Sequence, residues 1–266
     1  MALQGKNVLI TGASMGIGEA IARRVAAEGA NIVLFARSED KLQEITANLQ
    51  KDHSSSRIIF KAIDLQSYEA VEKAVNEAAN EFGTIDILIN NAGLALGAPA
   101  AFPDLKISDI VQMNSTNING LMFVTYAVLN SGMLGRKEGT ILNVTSTTAL
   151  EAPPFSGEAV YHSNKAAQEG FTNALRNELV GTNIRVLALR PGVVATNFHS
   201  LRVGHDKEKY DSFMEGFTPL ESDDIAGAAI YMLNQPLNVS VKALDVVPSA
   251  QRSLTVFDRQ WNQRNA

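Results

Sequence analysis

The chain has 266 residues, 45% hydrophobic and 19% charged, a length that suits one large α/β domain and is short for two. It has no cysteine, which excludes a disulfide framework, a cysteine nucleophile and any thiolate metal site. The net charge of -5, with 23 basic and 28 acidic residues interspersed, gives no electrostatic case for a nucleic-acid partner.

The amino terminus runs almost directly into an apolar stretch and lacks the basic start, long apolar core and cleavage site of a signal peptide. No run approaches the length of a membrane span, so no membrane partner and a cytoplasmic location are expected. His53, His162, His199 and His205 lack metal-ligand spacing, and no metal site is expected.

In chain order, strand patterns fall at Asn7–Ile10, Asn31–Ala36, Arg57–Ala62, Asp86–Asn90, Gly139–Thr145, Asn183–Arg190 and Lys242–Val247. Helical patterns lie between them at Ile17–Glu28, Glu39–Gln50, Ser67–Phe82, Leu105–Leu134, Ala159–Val180 and Asp223–Leu233. Gly29, Gly83 and Gly181 stand just past three of these helices, and Ser222 with two aspartates opens the last. This alternation predicts a single-domain α/β chain, a doubly wound Rossmann fold with a seven-stranded parallel sheet. Its ligand crevice should lie beyond the carboxyl ends of the strands. The segment 196–221 is too long for an ordinary connection and mixes Phe198, Leu201, Phe213, Met214 and Phe217 with charges. It reads as a substrate loop or lid.

After the first strand comes Thr11-Gly12-Ala13-Ser14-Met15-Gly16-Ile17-Gly18. Three glycines there let the backbone turn tightly toward a pyrophosphate and leave the N–H groups of the next helix facing it. The spacing is G-x-x-x-G-x-G rather than G-x-G-x-x-G. The second strand ends in Ala36 followed by Arg37, where an NAD site usually carries an acid. A guanidinium at that place suits a 2′-phosphate, which favours NADP(H). Tyr161 and Lys165, spaced i,i+4 at a helix start, share one face, and an adjacent ammonium favours a phenolate. On its own that pair is weak, expected by chance about 0.2 times in such a chain.

Its company is more telling: Asn90-Asn91-Ala92-Gly93 after the fourth strand, Asn117 and Gly120 in the central helix, Ser146 after the fifth strand, and Pro191-Gly192-Val193-Val194-Ala195-Thr196 after the sixth. This ordered set resembles the classical short-chain dehydrogenase/reductase family, and through Val194 it looks like broad-specificity carbonyl reductases and 3-hydroxy acid dehydrogenases. The resemblance implies that Tyr161 is the acid/base, that Lys165 lowers its pKa and holds the nicotinamide ribose, and that Ser146 orients the substrate oxygen. Asn117 is implied to support a water-mediated relay to Lys165. Cofactor contacts are implied at Gly12, Ser14, Met15, Gly16, Ile17, Gly18, Arg37, Asp64, Leu65, Asn91, Ala92, Gly93, Tyr161, Lys165, Pro191, Gly192, Val194 and Thr196. Ser146 lies 15 residues before Tyr161 where many relatives have 13, so Thr147 and Thr148 stand as alternatives, with an insertion around Pro153-Pro154-Phe155. The implied reaction is hydride transfer between NADP(H) and a small-molecule carbonyl or secondary alcohol. A biosynthetic ketoreductase on an acyl or polyketide-like substrate and a non-catalytic NADP(H) sensor are the alternatives. Relatives of this kind pair two long helices, which implies a homodimer or homotetramer. The tail 249–266 is left to cover either its own pocket or a neighbour's.

Overall fold

The computed structural model describes residues 3–153, 156–198 and 207–266. Seven strands, β1 (Asn7–Thr11), β2 (Asn31–Ala36), β3 (Ile58–Ala62), β4 (Ile87–Asn90), β5 (Glu138–Val144), β6 (Asn183–Pro191) and β7 (Ala243–Val246), form one sheet. Its order is β3-β2-β1-β4-β5-β6-β7, with every neighbouring pair parallel. Parallel strands need covered faces, and the side-chain alternation supplies two of them. Along β1, Val8 and Ile10 face one layer and Leu9 the other; on β2, Ile32 and Leu34 oppose Val33 and Phe35. Each such aliphatic side chain taken out of water is worth roughly 1.5–3 kcal/mol.

The first layer is covered by α1 (Gly16–Ala27) and, from later in the chain, by the helix Ser222–Leu233. The same side carries α2 (Glu39–Asp52), whose Leu42, Ile45 and Leu49 join that core. On the other side lie α3 (Tyr68–Phe82), the long α4 (Ile107–Arg136) and α5 (Ala159–Glu178). Although 30 residues long and apolar enough to cross a bilayer, α4 buries Val124 and Val128 against the sheet. It is not uniform: Ser115–Gly120 and Leu129–Met133 are wider π turns, and Gly132 leaves helical geometry at φ 143°. Gly29, Gly83 and Gly181 take φ of 79°, 85° and 85°, the left-handed conformation that ends a helix.

The strand order reverses between β1 and β4, so the loops after these two strands diverge and open a crevice. Beyond β6, Val194 pairs with Leu220: Ala195 N–H donates to Leu220 O at 2.7 Å and Leu220 N–H to Val193 O at 3.0 Å. The two ends of the predicted loop are therefore stapled together. Within it the sequence reading missed α6 (Lys207–Met214), and residues 199–206, including His199, Leu201 and His205, lie outside the described residues, as do Pro154 and Phe155. After the final covering helix, α7 (Ser222–Leu233), and β7, the tail packs on its own chain. Phe257 and Trp261, the latter opening the short α8 (Trp261–Arg264), join Val193, Phe217 and Ala250 in a small cluster.

Candidate active site

The glycine turn closes the base of the crevice. Gly12 has φ 65° and lies so near the loop after β4 that a Cβ there would sit 2.8 Å from Ala92 Cα. Asn91 ties the two loops together, donating from Nδ2 to the carbonyls of Thr11 and Gly12 at 3.1 and 3.2 Å. Thr11 Oγ1 accepts from the N–H groups of Asn91 and Ala92 at 3.0 and 3.1 Å. Gly18 lies beneath the turn, where an added Cβ would meet Gly12 O at 2.3 Å. Its expected cofactor role is thus a packing role, because only a bare Cα lets α1 begin so close to the turn. The start of α1 has no side-chain cap, so its free N–H groups remain for an anion.

One cavity of about 340 Å³ runs from this turn along the strand ends. Of the residues named from sequence, Ser14, Met15, Gly16, Ile17, Arg37, Asp64, Leu65, Ala92, Gly93, Pro191, Gly192, Val194 and Thr196 line it, with Gly12, Asn91, Ser146, Tyr161 and Lys165. Arg37 stands exposed just past Ala36, at the rim. An uncapped helix N-terminus and a rim guanidinium, with no acid at position 36, fit the phosphates of NADP(H).

Ser146 lies two residues past the end of β5, and its Oγ accepts from Thr148 N–H at 3.1 Å, which fixes the turn Thr147–Ala149. The Ser146 hydroxyl also donates to Pro191 O at 3.5 Å, and it lies near enough to the Tyr161 phenol to lower its pKa. Thr147 turns its hydroxyl to Pro191 O at 3.3 Å, and the Thr148 carbonyl meets His162 Nδ1. Tyr161 and Lys165 are both buried on the first turns of α5, with Lys165 Nζ 5.8 Å from the phenol ring centre. Burial pushes the Tyr161 phenol well above its usual range, and the Ser146 hydrogen bond pulls it back. Burial likewise brings the Lys165 ammonium down to about 7, opposed by the negative charge of Glu169. Each charge alone is disfavoured in this setting, whereas phenolate and ammonium formed together compensate one another.

Asn117 is fully buried behind Lys165, inside the wide turn Ser115–Gly120, and does not line the cavity. Its side chain splints the loop after β4: Nδ2 donates to Leu94 O at 2.8 Å, and Leu94 N–H donates to Oδ1 at 2.9 Å. Nδ2 also reaches Asn164 Oδ1 at 3.1 Å. Lys165 Nζ donates to Val144 O at 3.1 Å and to Gln168 Oε1 at 3.0 Å. Gln168 escaped the sequence reading, although it lies one turn beyond Lys165 on the same face. So did Glu169, which accepts from Thr145 Oγ1 at 2.6 Å and from Arg190 at 2.9 Å, bracing β5, β6 and α5 behind the site.

The outer wall consists of Val193, Phe198, Phe213, Leu254 and Phe257. The Phe198 ring lies 5.4 Å from that of Tyr161, and Phe257 meets Phe213 edge-on at 5.6 Å and lies tilted against Phe217 at 4.9 Å. Arg259 holds this group from behind, donating to Phe213 O at 2.6 Å and Glu215 O at 2.9 Å. The tail therefore covers the pocket of its own chain.

Comparison with known proteins agrees with this geometry. The family model for short chain dehydrogenase matches residues 6–205. An NADP-dependent 3-hydroxy acid dehydrogenase of Schizosaccharomyces pombe is 38% identical over 250 residues, covering 94% of this chain and 95% of that one. A closed serine dehydrogenase complexed with NADP+ superposes with a TM-score of 0.84 at 33% identity, over 92% of this chain and 96% of that one. An actinorhodin polyketide ketoreductase with NADPH gives 0.82 at 29% identity, over 94% and 97%. The chain belongs to the short-chain dehydrogenase/reductase family. It is an oxidoreductase that uses NADP(H) in hydride transfer.

Proposed function

We propose that this enzyme interconverts a carbonyl and a secondary alcohol with Tyr161 as its acid/base. The observation that carries this reading is the buried Tyr161 phenol with Lys165 beside it, lining with Ser146 the same cavity as the glycine turn. When bound, NADP(H) supplies or accepts the hydride at its nicotinamide. The N-terminus of α1 would hold phosphate, Arg37 the 2′-phosphate, and Asp64 and Leu65 the adenine end, with Val194 and Thr196 toward the carboxamide and phosphates. In reduction the Tyr161 hydroxyl gives its proton to the carbonyl oxygen, and in oxidation the phenolate takes the alcohol proton. Ser146 donates to the same substrate oxygen, and the Lys165 ammonium favours the phenolate.

The names of the relatives point to a hydroxy acid or its keto form as substrate. A second reading, a ketoreductase acting on an acyl or polyketide-like chain, draws on one observation: Phe198, Phe213, Leu254 and Phe257 give the mouth an apolar wall. The stapled segment 196–221 is then the lid over that wall.

The test follows NADPH consumption against small 3-keto acids, aldehydes, aryl ketones and acyl thioester mimics. Tyr161→Phe is expected to lower turnover about 10²–10⁴-fold and to keep NADPH affinity within about threefold. Retained turnover removes Tyr161 from the chemistry. Preference for keto acids supports the first substrate reading, and preference for aryl ketones or thioesters the second.

A further inference from the structure

We propose that Gln168 is a positioning residue for proton transfer at Tyr161: its carboxamide joins the Lys165 ammonium to the backbone carbonyl of Asn117 and holds the lysine charged beside the phenol. This rests on the acid/base role given to Tyr161 above.

Gln168 is buried, and a buried amide with unmet polar atoms is costly. Both of its ends are met: Oε1 accepts from Lys165 Nζ at 3.0 Å, and Nε2 donates to Asn117 O at 2.6 Å. The orientation is forced, because a carbonyl offers no proton and an ammonium accepts none. The residue cannot drift. Its own backbone carbonyl accepts from Thr172 Oγ1 at 2.7 Å, Thr172 accepts from Asn143 Nδ2 at 2.8 Å, and Asn143 accepts from Asn90 Nδ2 at 2.9 Å. This ladder runs from α5 into the centre of the sheet.

A carboxamide orients and polarises but neither gains nor loses a proton near neutral pH. The expected water link between Asn117 and Lys165 is thus accompanied by a fixed dipole whose oxygen favours the charged lysine. The titratable groups facing Lys165 are Tyr161 and Glu169 on α5, and Glu169 is itself paired with Arg190 of β6. From α4 and β5 the partners are neutral: Asn117 reached through Gln168, and the Val144 carbonyl. Glu169 favours the ammonium through its charge, and the Gln168 oxygen, with the Val144 carbonyl, favours it by accepting its hydrogen bonds.

The test uses the full-length Gln168→Leu protein, with Gln168→Met as the unbranched second variant should the first not fold. For alcohol oxidation with NADP+ and the best secondary alcohol of the panel, the pKa governing kcat/KM should rise by about one unit. Its plateau should fall about tenfold while NADP+ affinity stays within about threefold. A cofactor-free readout accompanies this. Between about 7 and the ordinary lysine value of 10.5, the unfolded chain binds a proton that buried Lys165 has shed, so stability rises with pH across that window. In the variants Lys165 sheds its proton sooner, so the rise in Tm should begin at lower pH. A kcat/KM profile and Tm curve that superimpose on wild type, or a uniform drop in rate with no shift, overturn the proposal. If Tyr161→Phe keeps its turnover, the acid/base reading falls and this with it. If Tyr161→Phe is dead and the Gln168 profiles do not move, only the role of Gln168 falls.

Discussion

Toward the ends of β1, β2 and β4 the cavity is bounded by the glycine turn and its neighbouring loops, with Gly12, Gly16 and Gly93 in its lining, whereas beyond β6 and from the tail it is bounded by large apolar side chains. On the first side the chain turns through Gly12 and Gly16 with φ of 65° and 60°, and Asn91 stitches the turn to the next loop. Such a wall presents N–H groups, which suit phosphates common to every reaction the cofactor serves. On the second side Phe198, Phe213, Leu254 and Phe257 converge from the stretch beyond β6, from α6 and from the tail. A wall of side chains can change its shape without disturbing the sheet, and substrate choice belongs there.

The sharpest way to break that contrast is Gly18→Ala. The new Cβ would meet Gly12 O at 2.3 Å, a backbone atom that moves only if the turn moves. Overpacking of this kind costs about 3 kcal/mol, which for a chain of this size lowers Tm by about 6–12 °C. NADPH affinity should drop by about two orders of magnitude, read by fluorescence titration, because the turn itself carries the N–H groups. An alanine variant with wild-type Tm and affinity would show that the backbone wall is not rigid.

Arg37→Ala probes the same wall through charge rather than shape. The side chain is exposed at the rim, so its loss should leave Tm within about a degree. Hydrogen bonds from a guanidinium to phosphate are worth about 1.5–3 kcal/mol, or roughly 10–100-fold in NADPH affinity. NADH, which lacks the 2′-phosphate, should bind as before. Equal losses for both nucleotides would reassign Arg37 to structure.

The same contrast explains which parts of the site are legible in the amino-acid sequence. The cofactor wall is legible because it is local: Gly12, Gly16 and Gly18 sit within seven residues, between a strand and a helix whose periods change from two to 3.6. Tyr161 and Lys165 are legible for the same reason. The outer wall is legible only in part: Phe198 and Phe213 fall in the segment read as a substrate loop, but their meeting with Leu254 and Phe257 depends on the stapling of Val194 to Leu220 and on the tail turning back over Gly216. Gln168 lies between these cases. Its i,i+3 spacing from Lys165 puts it on the right face, but its second partner is a backbone carbonyl of α4, and backbone partners leave no mark in composition. The wide turn Ser115–Gly120 that contains Asn117 is hidden likewise, since an ordinary helical pattern and a π turn share their residue types.

Phe257→Ala sets the smallest expected effect against the largest. Phe257 is half-buried and packs against Phe213 and Phe217, pairs worth about 0.5–1.5 kcal/mol each, so Tm should fall by only a few degrees. It is far from the glycine turn in the fold's logic as well as in sequence, and NADPH affinity should stay within about twofold. For an aryl ketone or thioester the KM should rise about tenfold, the equivalent of roughly 1.4 kcal/mol of lost apolar contact, with kcat little changed. A small keto acid that does not reach the aromatic wall should be unaffected. If instead both substrates lose kcat equally, Phe257 acts by holding the lid closed over Tyr161, and the outer wall shares in the chemistry rather than only in selection.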